Sequence, residues 1–447
     1  MAERHTTAVL KLARVELLNN FEDAANIWHV LERNAYLSPY QRYDFLRLWQ
    51  KHIGVKEGVE PLIAVGHDAS GQPICLLPLG TFPHGPFRVA RFLGGKHANY
   101  NFGLWRKGTV FDDAFIRKLM AEIAAQRPNI AMLELHNQPL HWHGLDNPFL
   151  ALPHQPSPSV GYRMKLGEPG EAVLSRQLTT SYRGRIRGKE RKLAKLEGYR
   201  YFLASNSEEA KRVMDAFFAQ KREYMALHKI PNPFDEPEVE AFLREAAVSG
   251  ALEIHALEGA GEILALYAGV SDGERLSTMI SSFTASENGR NSPGIITIAH
   301  MVTNTADRGY AMLDLGVGEA EYKFVFCDQT EDLFDSYLPL SAAGHALVPL
   351  MRAQAGLKRI VKTTPALWRM AKTVRGVLGR YAAAGIRSLI VTIATLAKPL
   401  AVIASAAAVA MISSLSPAIS ITPRVNRARR FAPTVVASGG TATMTCS

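Results

Sequence analysis

The chain has 447 residues, 47% apolar and 21% charged, a globular composition too long for one ordinary core; two domains plus an extension are expected. The net charge of +10 is unevenly placed. Of 51 Lys and Arg residues, 14 lie from Ser336 to Ser447, where no Asp or Glu occurs, so residues 1–335 hold 37 against all 41 acids. A mildly acidic globular part argues against a general nucleic-acid-binding surface. Cys75, Cys327 and Cys446 are too few and too scattered for a disulfide framework or a cysteine zinc site, and they fit a reducing cytoplasm. The N-terminus lacks a continuous apolar stretch, so no secretory signal is read there.

In chain order, helices are predicted around Glu22–Arg33 and Tyr43–His52. Apolar runs on either side of Asp68-Ala-Ser-Gly-Gln72 predict a β-hairpin, because the glycine suits a tight reversal. Strands follow in RVARFLGG and NYNFGLW, then a helix at Asp112–Gln126 and the strand IAMLELHNQP. A Pro- and His-rich linker leads to about Tyr162, and its His141 and His143 read as ordinary loop histidines. Glu171–Leu196 is predicted as a strongly basic helix, and Glu208–His228 as an amphipathic one. The earlier order then recurs: three strands joined by Gly and Asp-Gly turns, a helix at about Pro293–Arg308, and the strand YAMLDLGVG. Met132-Leu-Glu-Leu135 answers Met312-Leu-Asp-Leu315, so an entire α/β unit is duplicated.

The run SSFTASENGRNSPGIITIAHMVTNTADRGYAMLDLGVGEAEYKFVF resembles the core of a GNAT acyltransferase domain. With Tyr36–Trp49, Phe92-Leu-Gly94 and Leu196-Glu-Gly198, the chain is similar to the CelD-like acetyltransferases named after cellulose biosynthesis, relatives of the FemABX aminoacyltransferases. The resemblance implies two tandem GNAT-like domains of mixed, mainly antiparallel sheets flanked by helices: residues 1–155 (degenerate) and 156–340 (acyltransferase). A helical extension, 341–447, would follow. It implies acetyl-CoA or another acyl-CoA as co-substrate, no metal, and a small-molecule or saccharide acceptor. A FemABX-like donor would instead be aminoacyl-tRNA, and a non-catalytic scaffold of a polysaccharide synthase complex is a further alternative.

Pro293 suits a first helical turn, and the free N–H groups there favour a phosphate. The resemblance places the coenzyme A diphosphate on Arg290, Asn291, Ser292, Gly294 and Ile295. The family's loop reads Gln/Arg-x-x-Gly-x-Gly/Ala, whereas Arg290-Asn-Ser-Pro-Gly-Ile295 has a single glycine. Acyl transfer needs a proton acceptor, an oxyanion stabiliser and a proton donor for the thiolate. Asp314 or Glu319 would accept the proton, Tyr322 would protonate the thiolate, and Lys323 would stabilise the oxyanion. Arg183 and Arg187 of the basic helix would hold an anionic acceptor. The first unit lacks the Asp-x-Gly…Tyr-Lys run, so it is expected to have lost donor binding and to supply one wall of the acceptor cleft.

In the tail, Lys358, Lys362, Arg369, Lys372 and Arg380 share a helical face opposite Leu367, Met370, Val374, Leu378 and Tyr381, as suits an anionic membrane surface. The uncharged window Leu400–Ser416 is at the short limit for a span. Residues 345–416 are therefore expected to touch the membrane peripherally, placing the protein in the cytoplasm at the inner membrane. Thr422–Ser447 reads as disordered.

Overall fold

The computed structural model describes residues 8–9, 11–364 and 366–367. The described residues up to 364 lie in one compact unit. The tail elements expected beyond residue 367 lie outside the described residues.

The first half runs β1 (Arg14–Leu18), α1 (Phe21–Asn34), α2 (Tyr43–Trp49), β2 (Glu60–His67), β3 (Pro73–His84), β4 (Phe87–Phe92), α3 (Asp113–Gln126), β5 (Ile130–Pro139) and β6 (His154–Pro156). Local chemistry sets its helix starts: Asn20 accepts from the Asp23 amide at 2.8 Å, and Asp112 from that of Phe115 at 2.7 Å. Only the second of the two strands expected around residues 87–105 is displaced. Leu104–Arg106 is a strand, but Asn99–Asn101 is irregular and leaves the sheet.

The second half runs β7 (Gly161–Lys165), α4 (Gly170–Gln177), α5 (Thr180–Leu193), β8 (Arg200–Leu203), α6 (Ser207–His228), α7 (Pro237–Val248), β9 (Glu253–Gly259), β10 (Glu262–Ser271), β11 (Arg275–Phe283), α8 (Pro293–Asp307), β12 (Met312–Val317), α9 (Glu321–Phe326), β13 (Gln329–Glu331) and β14 (Leu333–Pro339). Helix α10 (Ala342–Thr363) follows. The single basic helix expected over 171–196 is broken in two. Leu178 is extended, and the Thr179 hydroxyl caps the new helix by accepting from the Tyr182 amide at 3.2 Å.

Each half is built on one design. The first sheet is ordered β6-β14-β5-β4-β3-β2-β1 and the second β8-β9-β10-β11-β12-β7-β13. Each contains one parallel pair, β4 with β5 and β11 with β12, joined through α3 and α8 respectively. The sheets are interleaved: β14, from within the expected second domain (156–340), pairs antiparallel with β5 of the first. One apolar cluster joins residues of both halves, where Phe45 of α2 meets Phe242 of α7 edge-on at 5.4 Å. A second cluster fills the opposite face of the second sheet, beneath α4, α5 and α8.

The seam between β5, β4 and β14 carries an ionic cluster of four side chains, of which the two carboxylates are buried. Glu134 accepts from Arg91 Nε at 2.6 Å and bonds His136 Nε2 at 2.8 Å, while His136 Nδ1 lies 3.4 Å from Asp335. Burial alone would raise the Glu134 carboxyl, but His136 and Arg91 hold it down at about 2. Burial disfavours the imidazolium, yet Asp335 and Glu134 raise it to about 9. Glu134 therefore contributes stability that is complete above pH 4.5 and lost as pH falls toward 2. His136 contributes stability that is complete below pH 6.5 and lost as pH rises through about 9. Urea unfolding should show the wild type weakening between about pH 6 and about pH 10, and the His136→Gln variant losing less over that interval.

Candidate active site

Strands β11 and β12 pair only at Arg275↔Met312, Leu276↔Leu313 and Ser277↔Asp314. Beyond that point β11 continues to Phe283, whereas β12 ends at Val317. The two parallel strands therefore part after Ser277 and Asp314. Two features shape the parting. On its other edge β11 carries a bulge at Met279, between the pairs Gly269↔Thr278 and Ala268↔Ile280. Gly316 takes φ 84°, and a Cβ there would stand 3.0 Å from the Thr278 carbonyl oxygen, so a larger residue would be both strained and crowded.

Asp314 sits at the fork with 0% exposure. Its carboxylate accepts from the Arg275 guanidinium, from Tyr100 Oη at 3.0 Å, from the Gly316 amide at 2.6 Å and from Ser277 Oγ at 3.3 Å. Arg275 is buried as well and donates to Glu331 at 3.2 Å, which Arg163 approaches at 3.1 Å. Its guanidinium also lies 4.0 Å from the Trp142 ring centre and 4.8 Å from that of Tyr100. Burial works against the Arg275 charge, but Asp314 foremost more than offsets it and holds the group protonated. Burial is also the main reason that the Tyr100 phenol titrates well above 10, with Asp314 adding to it.

Tyr100 and Trp142 come from the first half, so the fork is completed across the duplication. Tyr100 reaches Asp314 because Gly161 has no side chain; a Cβ there would overlap the phenol. Beside it, Asn99 Nδ2 donates to the Thr278 carbonyl at 3.2 Å and to Tyr40 Oη at 2.8 Å. These are the residues of the irregular stretch that leaves the first sheet.

The expected site residues divide by place. Asp314 is closed off from solvent with both oxygens bonded, and it joins the two strands at the fork. Lys323 is buried, and its Nζ donates to the carbonyls of Gly316, Val317 and Gly318 at 3.1, 3.2 and 3.0 Å. It ties α9 to the end of β12. Glu319 is exposed beside Tyr162, whose phenol is raised by burial first and by Glu319 second. Tyr322 is half-buried. It neighbours Tyr267, whose phenol titrates well above 10 through burial and through Tyr322.

The expected phosphate loop is a 3₁₀ turn, Glu287–Asn291, leading to Ser292 at φ 54° and Pro293 in the first turn of α8. No side chain caps α8; the Ser292 hydroxyl instead accepts from Lys189 of α5 at 2.6 Å. Arg290 is exposed, Asn291 and Ile295 are half-buried, and Gly294 is buried. A Cβ on Gly294 would stand 3.7 Å from Tyr267 Oη. Tyr267 thus lies close to the loop and also feels the charge of Tyr322. Arg183 and Arg187 lie elsewhere, lining a pocket among α4, α5 and α8 with Leu174, Glu190 and His300. Within it Arg183 donates to Ser175 Oγ at 2.6 Å and Arg187 to Glu171 at 3.3 Å.

Sequence reading missed Arg275, Tyr100, Tyr267 and Lys189. Burial pushes the Cys75 thiol up to about 12 and the Cys327 thiol well above its ordinary value, so neither is a ready nucleophile. Among the described residues no group of three or more His, Cys, Asp or Glu is placed to hold a metal. His141 pairs with Asp146, and His143 with Glu274.

Residues 180–324 match the family model described as Acetyltransferase (GNAT) domain. The structure is similar to that of FemX, with a TM-score of 0.54 at 9% identity, covering 76% of this chain and 100% of that one. It is also similar to a tandem GNAT protein from the clavulanic acid biosynthesis pathway, at 10% identity and TM-score 0.41, covering 73% of this chain and 99% of that one. A third is the C-terminal domain of a putative lysylphosphatidylglycerol synthetase from Agrobacterium fabrum, at 12% identity and TM-score 0.46, covering 75% and 96%. None of the curated proteins matches the chain significantly. The FemX superposition bears on the fold, which is of the two-unit GNAT-like kind. The acetyltransferase match over residues 180–324 supports an acyltransferase activity seated in that segment.

Asp314→Asn breaks a buried ion pair and should cost about 3 kcal/mol in urea unfolding. Tyr100→Phe leaves the pair intact and should cost about 1.5 kcal/mol, the worth of one hydrogen bond to a charged group.

Proposed function

We propose that the chain transfers an acetyl or other acyl group from acyl-CoA to an amine or hydroxyl of a small-molecule or saccharide acceptor. The observation that carries this reading is the parting of β11 and β12 beyond Ser277 and Asp314, with an uncapped helix start at one side and Tyr322 at the other. A thioester lying in the gap would direct its phosphates to residues 290–295, where the α8 dipole and Arg290 favour negative charge. Its sulfur would fall near Tyr322.

In the proposed reaction the acceptor nitrogen or oxygen attacks the thioester carbonyl. The nucleophile's proton passes to Glu319, directly or through water. As the new C–N or C–O bond completes, the C–S bond breaks, and the Tyr322 hydroxyl protonates the departing thiolate. Asp314 and Lys323 act through geometry: one holds the fork and the other holds the start of α9 against the end of β12. The exposed Glu319 replaces Asp314 as the proposed proton acceptor for that reason.

The likeness to CelD-type proteins supports an acceptor from cellulose, exopolysaccharide or envelope synthesis, and a cytoplasmic place at the inner membrane through residues 345–416. Among the described residues no helix is long and apolar enough to cross a membrane. A second reading, transfer from aminoacyl-tRNA, is favoured by one observation: Arg185, Arg187, Arg191 and Lys192 of α5 are exposed together, as a polyanion would require.

Calorimetric titration with acetyl-CoA tests the leading reading. Saturable binding of one equivalent is expected; no binding at millimolar concentration, with protection by charged tRNA, would select the second. Tyr322→Phe should lower kcat about a hundredfold while leaving acetyl-CoA affinity within about twofold, the pattern of a lost proton donor. Undiminished turnover would remove Tyr322 from the chemistry.

A further inference from the structure

The loop before α8 departs from its family in having one glycine, and two residues from outside it stand where the difference falls. Ser292 occupies a left-handed position, φ 54°, which a glycine would take without strain. Its side chain does not cap the helix; it binds the ammonium of Lys189 at 2.6 Å. Lys189 belongs to α5, which lies in the chain between β7 and β8. On the sheet side of the loop lies Tyr267, 2% exposed, with its ring in the apolar cluster beneath α8. Among the described residues its hydroxyl has no hydrogen-bond partner, and it points to Gly294, whose Cβ would be 3.7 Å away. A phenol buried to this degree ordinarily finds a partner.

We infer that Lys189 and Tyr267 complete the phosphate cradle of the donor site, the ammonium from the α5 side and the phenolic O–H from the sheet side. The helix start offers N–H donors on the third side. The donors are one cation, one neutral hydroxyl and a helix dipole, and the carboxylate beside the loop, Glu262, is taken up by Ser286 at 2.9 Å and Asn288 at 2.8 Å. A diphosphate, with several anionic oxygens, satisfies this set; a carboxylate or a neutral amide would leave donors unmatched. The inference rests on the acyl-CoA reading and deepens it, by assigning the diphosphate to residues that the family's loop does not contain. Tyr267 is sheet-borne and rigid, so it also fixes how deep the phosphates sit and hence where the thioester meets Tyr322.

The test is equilibrium titration of the full chain with coenzyme A, for the wild type, Lys189→Met and Tyr267→Phe. Both substitutions keep the shape: Lys189 is exposed, and Phe preserves the Tyr267 ring. Each variant should bind coenzyme A about tenfold more weakly than the wild type. Added salt should weaken the wild type and Tyr267→Phe alike but affect Lys189→Met less, because the screened charge is gone there. Either variant binding within about twofold of the wild type overturns the cradle while leaving the acyl-CoA reading in place. A wild type that does not bind coenzyme A overturns both, and so the two failures are told apart.

Discussion

The second sheet can fork only because a buried carboxylate is held still where its strands part. Asp314 and Arg275 lie on neighbouring parallel strands with almost no exposure, an arrangement that costs several kcal/mol per charge unless every donor and acceptor is met. Most of the requirement is met from three directions, the Gly316 amide, the Glu331–Arg163 pair and the Tyr100 phenol, while Arg275 Nε stays without a hydrogen-bond partner among the described residues. Two acids and two bases balance there, and the aromatic faces of Tyr100 and Trp142 cover the guanidinium. Since Tyr100 and Trp142 belong to the first half, neither half can assemble the fork alone.

The duplication shows how one design came to do two jobs. Each half places an acid on the strand after its crossover helix, Glu134 and Asp314, and an arginine on the neighbouring parallel strand, Arg91 and Arg275. In the first half the arginine and a histidine close the site into a stable seam with β14. Between β4 and α3, where the second half has its short turn before α8, the first half has the longer stretch 93–112. That stretch sends Asn99 and Tyr100 across to the second half. The segment that corresponds in position to the turn before α8 is the brace of its neighbour's fork.

Much of the fold was legible in local pattern. Apolar runs beside Gly turns marked β2, β3, β9 and β10, Pro293 marked the start of α8, and the repeated Met-Leu-acid-Leu strand exposed the duplication. The break between α4 and α5 was hidden because Leu178 and Thr179 continue the helical periodicity, and only the Thr179 cap ends it. The strand β14 was unreadable for a different reason: its partner is β5, nearly two hundred residues earlier, and no local pattern carries that pairing. The site split the same way. Asp314, Tyr322 and the loop at 290–295 stand in contiguous motifs, but Arg275, Tyr100, Tyr267 and Lys189 matter only through contacts made in three dimensions. What the motif could not show is the surroundings of its residues: Asp314 is buried, and Lys323 Nζ donates to backbone carbonyls.

The central claim is that a thioester donor lies in the gap between β11 and β12. A crystal structure with a non-hydrolysable acetyl-CoA analogue tests it most directly. The account predicts the diphosphate at Ser292–Gly294 and the sulfur beside Tyr322. An analogue bound elsewhere, such as the pocket lined by Arg183 and Arg187, with the gap empty, would contradict it.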